Sequence, residues 1–558
     1  MAIEATLATP PWLDEILSGL DVEQRAAATL PDGPAQIIAP AGSGKTTTLI
    51  ARIGVLLARG VPPGEICVVT FNRDASLDLA KRIETRFAAH VAGAERIEVR
   101  TLHALARQVV LDTGRRPQLV ADRLPLIRAA RRRCARPDDA DAPPIPEPSE
   151  LDGILSAWKI EGRPLPDSAR QLVEGYQALL DARGALDFDD LVVTACRQLQ
   201  AEPALRHRWQ ARFRHVLVDE FQDVDSAQLT LVRLLAAPQD NLVVVGDDDQ
   251  TIYAWRLADV RRILRFSADY PTARRVMLAT NYRCPAAVIE ASARMVAVNR
   301  ERFDKPIRAP EASQPNPATI TAWRAVGTTW SDALARLASV EDAAGRTLCF
   351  LTRTRGELTP LLVALTRANV RHTTAVAPLV EAERVVALVD AARGLATREQ
   401  PFRVFRRLRA GHGWDRDNPA ADALGDDDHV ALDALLGWTT GFAALERFVS
   451  AYDAARVRIA GLRDPDAPVE LATVHASKGR EWQTVVLVGF EADRIPNRRS
   501  LLDASDPDRA LEEERRLAYV ALTRATRQLI LAFDPARPSP FLAEMGFRTA
   551  GDLGATPS

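Results

Sequence analysis

Lysine is scarce in this chain. Of 72 basic residues among 558, only Lys45, Lys81, Lys159, Lys305 and Lys478 are lysines. Arginine-biased codon usage is the ordinary reason, yet a lysine kept in so lysine-poor a chain marks a place for a compact ammonium rather than a planar guanidinium. Cysteine is sparse too: Cys67, Cys134, Cys196, Cys284 and Cys349 stand far apart. That scatter excludes a CxxC zinc site or a cysteine-ligated iron–sulfur cluster and fits a reducing cytosol. No apolar run reaches the roughly 18 residues a membrane-spanning helix needs. The opening Met1-Ala2-Ile3-Glu4-Ala5 has no basic segment leading into an apolar stretch. Neither membrane contact nor a secretory signal is therefore expected, and the expected location is cytoplasmic. The formal net charge is only −2, so any nucleic-acid footprint has to be a local patch.

What is present is ordinary globular composition, 47% hydrophobic and 26% charged, at a length that calls for several domains. Short β-branched runs alternate with helical patterns, the signature of parallel α/β units. Strands are predicted at Gln36–Ala39, Ile66–Phe71, His215–Asp219 and Leu242–Gly246, and again at Thr347–Thr352, Val469–Val474, Val485–Gly489 and Leu529–Phe533. A helix is predicted over Thr46–Ala58, with Leu49, Ile50, Ile53, Leu56 and Leu57 on one face and Gly60 as its C-cap. Three stretches interrupt this rhythm: the proline-rich Arg136–Pro148 and Lys305–Pro317, and the acidic Asp415–His429. All three read as exposed connections.

Ala39-Pro40-Ala41-Gly42-Ser43-Gly44-Lys45-Thr46 follows a predicted strand and opens a predicted helix. Small residues let backbone N–H groups wrap phosphates there, and the helix N-terminus adds a positive dipole end. Ala41, Gly42, Ser43, Gly44 and Thr47 would line the loop. Lys45 would reach the β- and γ-phosphates, and the Thr46 hydroxyl would ligate Mg²⁺. The strict pattern asks for glycine where Ala39 stands. An acidic pair, Asp219-Glu220, ends the strand beginning at His215. Asp219 would hold the Mg²⁺ through water, and Glu220 would orient or deprotonate the attacking water. Together these residues predict a Mg-nucleotide hydrolase.

Further segments surround that site. They are Leu20-Asp21-Val22-Glu23-Gln24, Thr70-Phe71-Asn72, Thr101-Leu102-His103, Leu186-Asp187-Phe188-Asp189-Asp190-Leu191, the run from Gly246 through Gln250, Tyr253 and Trp255 to Arg256, and Asn281-Tyr282-Arg283. Late in the chain come Thr473-Val474-His475-Ala476-Ser477-Lys478-Gly479-Arg480-Glu481-Trp482 and the stretch from Glu512 through Tyr519 to Arg524. In order and wording this set resembles the UvrD/Rep/PcrA family of superfamily 1 DNA helicases, from about Leu20 to Phe541.

The resemblance implies an α/β fold of two RecA-like P-loop motor domains, each with a mainly helical insert. The implied bounds are 1–105 with 188–276 for the first motor, 106–187 for its insert, 277–395 with 466–558 for the second motor, and 396–465 for a reduced insert. It implies that Gln24 reads the adenine edge, Tyr282 stacks on the base and Glu481 holds the ribose. Gln250 would touch the γ-phosphate and the attacking water, and Arg283 and Arg524 would reach the γ-phosphate from the second motor. An arginine finger so placed is worth about 10³–10⁵ in rate, which would tie hydrolysis to domain closure. Phe71, Tyr253 and Trp255 resemble the aromatics that stack on DNA bases, a contact that tolerates any sequence. Thr101, His103, Arg256 and His475 resemble contacts to the DNA backbone, which position without reading.

The implied activity is ATP-dependent helicase and translocase action on single-stranded DNA and duplex–single-strand junctions, moving 3′ to 5′. The alternative is a translocase that strips proteins and unwinds only with a partner. Three departures stand out. Thr47 occupies a position where many relatives carry an arginine, which argues against a full adenine sandwich. Asn72-Arg73-Asp74-Ala75 replaces a usual asparagine–lysine–alanine pattern. The second insert is short, and the chain beyond Arg524 is expected to hold neither a nuclease domain nor a basic tail.

Overall fold

The computed structural model describes residues 10–134, 146, 148–313, 316, 319–325, 330–374, 378–395, 397–415, 426–548 and 553–555. Most of Arg136–Pro148 and parts of Lys305–Pro317 and Asp415–His429 lie outside them, so those three expected loops are not described as such. The described residues form two compact units, one from 1–282 with 299–310, the other from 283–298 with 311–558.

In the first unit the strands are β1 (Ala35–Ile38), β2 (Ile66–Thr70), β3 (Glu98–Thr101), β4 (Gln118–Val120), β5 (Ala185–Asp187), β6 (His215–Val218), β7 (Leu242–Gly246) and β8 (Arg274–Met277). Six of them make one sheet in the order β3-β2-β6-β7-β1-β8, with parallel pairing throughout. β1, β2, β6 and β7 are buried along their whole length, as strands covered by helices on both faces must be. Ile38, Val69, Val218 and Val244 face one apolar cluster, and Ile37, Val68, Leu217 and Val245 face the other.

The helix Lys45–Ala58 buries Leu49, Ile53, Leu56 and Leu57. It ends as predicted near Gly60, whose φ of +81° lets Val61 N–H reach Leu56 O at 3.1 Å and Gly60 N–H reach Leu57 O at 3.0 Å. That pair of bonds is a Schellman motif. A third, separate core joins the helices Leu124–Cys134, Pro148–Glu161 and Asp167–Asp181 through Leu126, Leu155, Leu172 and Tyr176. Lys159 fastens this helical block to the motif around β5: its ammonium lies 2.7 Å from both Asp187 Oδ2 and Asp190 Oδ2.

In the second unit the strands are β9 (Ile320–Arg324), β10 (Leu348–Thr352), β11 (Thr373–Thr374), β12 (Val469–Thr473), β13 (Trp482–Val488), β14 (Ala525–Phe533) and β15 (Gly554–Ala555). They form a parallel sheet in the order β11-β12-β10-β13-β14-β9-β15. Phe350, Leu471, Val486 and Ile530 pack one face against the helices Trp330–Ala343 and Thr359–Arg367. A second apolar cluster gathers Val385, Phe405, Leu435, Phe448 and Tyr452 from four helices between Glu383 and Leu462.

Three boundaries differ from the expected ones. Residues 277–282 and 299–310 pack with the first unit rather than the second, because Leu278 N–H continues the β1 ladder to Ile38 O at 2.8 Å and Lys305 is buried among Asp247, Asp248 and Asp249. The helical block of the second unit starts before residue 396, since Val385, Leu388 and Val389 belong to its core. In the first unit the helix Leu102–Asp112 packs its apolar face into the motor core, so residues just after 105 belong to the motor by burial. Among the described residues no helix is long and apolar enough to cross a membrane.

Candidate functional site

The C-terminal ends of β1, β6 and β7 lie side by side, and the loops leaving them carry the candidate chemistry, as open parallel sheets favour. The loop after β1 turns at Gly42 and Gly44, with φ of +69° and +79°. Gly44 has a second constraint, because a Cβ there would stand 2.6 Å from Gln24 Nε2. Lys45 Nζ donates to Ala39 O at 3.0 Å. The Ser43 hydroxyl is buried with no partner, an orphaned polar atom inside a glycine cradle that suits a phosphate oxygen.

Gln24 is almost fully buried and braces this loop. Its Nε2 donates to Ser43 O at 3.0 Å, and its Oε1 accepts from Asp21 N–H at 3.2 Å. Asp21 caps the helix Val22–Ala28 and also accepts the Tyr282 hydroxyl at 2.7 Å. Tyr282 N–H donates to Gly42 O at 2.9 Å, while its side of the site stays open, the residue being 53% exposed. Tyr282 therefore stands beside Gln24 and the loop, within the first unit. Thr47 is exposed and Thr46 half-buried at the start of the helix. Asp21 and Glu23 are working members of this corner that motif reading passed over. Glu23 Oε2 accepts Ala279 N–H at 3.0 Å, and Glu23 Oε1 accepts from Arg308 at 2.6 Å.

At the end of β6, Asp219 N–H continues the ladder to Val69 O at 2.8 Å, and Asp219 Oδ1 accepts Glu220 N–H at 3.0 Å. Glu220 holds φ +52°, a left-handed conformation that a side chain adopts only where its surroundings enforce it. Its carboxylate accepts from Gln222 Nε2. Gln222 is fully buried, and its Oε1 accepts Asp247 N–H at 3.0 Å. Asp247 Oδ2 in turn accepts Gln250 Nε2 at 2.7 Å. One hydrogen-bonded relay therefore runs Glu220, Gln222, Asp247, Gln250, from the end of β6 to the turn after β7. Gln222 and Asp247 were not among the expected site residues, because nothing in their spacing reports a bond across 25 residues.

Gly246 is needed where Gln222 crosses it. A Cβ there would lie 2.5 Å from Gln222 Oε1 and 2.8 Å from Ile263 Cδ1. Gly246→Ala is expected to lower unfolding free energy by about 1–3 kcal/mol, the usual cost of overpacking. Denaturant unfolding of the two proteins checks this, and an unchanged midpoint would contradict it.

Beyond Gln250 the same segment supplies an aromatic row. Phe71 and Tyr253 stack at 4.9 Å between centroids, and Tyr253 meets Trp255 edge-on at 6.3 Å. Trp255 is 60% exposed, with the Arg256 guanidinium 4.6 Å over its ring. Burial lifts the Tyr253 hydroxyl well above its ordinary value, with Asp223 adding to the effect. Thr101 Oγ1 accepts Ala104 N–H at 3.2 Å and so caps the helix that carries His103. Burial lowers the His103 pKa, opposed by Asp189. The His103 ring meets Phe188 edge-on at 5.2 Å, and Phe188 is 39% exposed. Phe188 lies within a motif the sequence displays, but its exposure shows only in three dimensions.

The remaining expected residues sit in the second unit. Arg283 Nε donates to Glu481 Oε2 at 2.6 Å, and Arg283 Nη1 to Thr523 O at 3.5 Å. Arg524 is buried, donating to Val520 O at 2.9 Å, Arg480 O at 3.2 Å and Thr523 Oγ1 at 3.2 Å. Arg283, Glu481 and Arg524 thus converge on the turn between the helix Pro507–Leu522 and β14. His475 is half-buried in the turn after β12.

A glycine loop joining a buried parallel strand to a helix, with an acidic pair on a neighbouring strand, defines a P-loop nucleotide-binding protein. Comparison with known proteins narrows the class. The UvrD/REP helicase N-terminal domain matches residues 20–139 and 147–271, and the UvrD-like helicase C-terminal domain matches 455–534. The chain is 30% identical to the ATP-dependent DNA helicase UvrD2 of Mycobacterium tuberculosis, over 97% of this chain and 83% of that protein, and equally to UvrD2 of Mycobacterium bovis. It is 31% identical to the ATP-dependent DNA helicase PcrA of Staphylococcus aureus, over 52% of this chain and 42% of that one. The chain belongs to the UvrD-like helicase family.

Proposed function

We propose that the protein is an ATP-dependent motor that moves on single-stranded DNA in the 3′-to-5′ sense and separates strands at duplex junctions. The observation that carries this reading is the turn after β7. Within it Gln250, at the end of the relay from Glu220, is three residues from Tyr253 and five from Trp255. A group poised to sense the γ-phosphate and a surface able to stack on bases therefore share one short segment, so a change at one end is felt at the other.

In this reading the two parallel sheets are the two motors, and the helical blocks are their inserts. Ser43, Lys45 and the loop amides hold the phosphates. Gln24, Tyr282, Thr47 and Glu481 contact base and sugar. Glu220 and Gln250 orient the attacking water, and Arg283 and Arg524 balance charge as the γ-phosphoryl transfers. Among the described residues no group of three or more His, Cys, Asp or Glu side chains gathers to hold a metal ion. Mg²⁺ at Thr46 and Asp219 would therefore rest largely on phosphate oxygens and water, as this ion prefers. It would neutralise phosphate charge. The buried thiols of Cys67, Cys196, Cys284 and Cys349, none of them in a disulfide, suit a reducing, cytoplasmic setting.

The test is ATP hydrolysis with and without single-stranded DNA, together with unwinding of 3′-tailed and 5′-tailed duplexes. Strong stimulation and opening of only the 3′-tailed duplex is the expected result. Stimulation without unwinding would instead support the partner-dependent translocase, which the short helical block between Glu383 and Leu462 favours. Absence of stimulation would overturn both. Trp255→Ala is expected to weaken single-stranded DNA binding by about 1–3 kcal/mol and to leave DNA-free hydrolysis unchanged. Fluorescence titration with oligonucleotides of different sequence should show the same loss for each.

A further inference from the structure

Lys305 is not among the residues assigned to nucleotide or DNA, yet it is completely buried. Its ammonium stands 3.2 Å from Asp247 Oδ1, 2.5 Å from Asp248 Oδ1 and 2.7 Å from Asp249 Oδ2. Three successive carboxylates in an interior are unfavourable unless cations and hydrogen bonds compensate them. Arg302 supplies a second cation, bonding Asp249 at 3.0 and 2.9 Å, and Phe303 N–H bonds Asp248 Oδ2 at 2.8 Å. Burial pushes the Asp248 carboxyl up to about 6, with Lys305 acting against it and its two aspartate neighbours adding to it. A compact ammonium on a flexible stem can face three carboxylates at once within a confined interior.

Asp247 divides its carboxylate between two tasks. Oδ1 faces Lys305 and also accepts Asp249 N–H at 3.2 Å, and Oδ2 accepts the Gln250 amide at 2.7 Å. Whatever holds Oδ1 therefore sets the direction in which Oδ2 is offered. Without the ammonium, Asp247 Oδ1 would keep only the longer bond from Asp249 N–H, and Gln250 would lose a firmly fixed acceptor. Arg302 bonds Asp249 and stands outside this relay.

We propose that Lys305 is a positioning residue for ATP hydrolysis: its ammonium orients Asp247, and Asp247 holds Gln250 in its working direction. The inference rests on the reading of Gln250 given above. Lys305 is reached only after the chain has left the first unit for the helix Ala286–Val296 and returned. The turn that carries Gln250 is thus clamped by the returning segment around Lys305.

The experiment measures DNA-stimulated hydrolysis by the full chain carrying Lys305→Met, Gln250→Ala, both together, and Arg302→Gln. Lys305→Met is expected to lower kcat about tenfold or more while moving the KM for ATP less than about threefold, because the phosphate loop is untouched. The double variant is expected to be no slower than Gln250→Ala alone, since two members of one relay do not add. Arg302→Gln should stay within about twofold of the parent. If Lys305→Met does not fold, Lys305→Met with Asp248→Asn restores the balance of buried charge and takes its place with the same expectations. Wild-type kcat in the folded variant, or losses that multiply in the double variant, would overturn the proposal. Wild-type kcat in Gln250→Ala would instead strike the reading of Gln250 beneath it.

Discussion

Replacing Glu220 by glutamine should cut DNA-stimulated ATP hydrolysis by about 10³-fold and leave nucleotide binding close to that of the parent protein. Glu220 follows Asp219 at the end of β6 with a left-handed backbone, φ +52° and ψ +42°. Such a conformation costs a non-glycine residue roughly 1–2 kcal/mol, which the relay through Gln222 to Asp247 offsets. Glutamine has nearly the same volume but no basic oxygen. It can still turn its carbonyl oxygen to Gln222 Nε2, so the fold should be kept. Lys45, Ser43 and Gln24 are unchanged, which is why binding should survive. A rapid-mixing measurement of hydrolysis, paired with titration of a fluorescent nucleotide, checks both halves. Hydrolysis within a few-fold of wild type would remove Glu220 from the role of base.

Arg524→Ala is expected to lower the hydrolysis rate by about 10³–10⁵, the range for loss of an arginine that balances transferring phosphoryl charge. The structure makes a simple alanine variant ambiguous. The Arg524 side chain is 1% exposed and bonds the carbonyls of Val520 and Arg480, so truncation also leaves buried acceptors short of a donor, at about 1–3 kcal/mol of stability. Arg524→Lys keeps a positive charge on a stem that can stay buried, and should recover stability without recovering the rate. The informative result is therefore a kcat that collapses in both variants, a KM for ATP that moves little, and a thermal midpoint lowered mainly in the alanine form. If kcat simply followed the folded fraction, Arg524 would be an architectural residue and the assignment would fall.

Much of this protein can be read along the chain because the signals are local. β1, β2, β6 and β7 are continuous apolar runs, which is how parallel strands buried on both faces appear. The phosphate loop and the Asp219-Glu220 pair are legible because each is a short backbone event, strand to turn to helix, written in adjacent residues. The helix after Lys45 declares its end through Gly60. By contrast β3, β8 and β9 are less uniformly buried and mixed in composition, with Glu98, Arg100, Arg274 and Arg275 among their residues. They lack a clear periodic signal, so the sequence alone does not predict them as strands.

Pairings across long stretches of chain were decided by tertiary structure alone. Spacing says that lysine is rare. It does not say that Lys45 belongs to a phosphate loop's carbonyl, Lys159 to Asp187 and Asp190, and Lys305 to three aspartates more than fifty residues upstream. Nor does it say that Tyr282 anchors to Gly42 and Asp21, or that Arg283 meets Glu481 across 198 residues. The physical reason is the same in each case. A backbone conformation is selected by its neighbours in sequence, whereas a buried charge or amide is satisfied by whatever the order of strands in the sheet brings beside it.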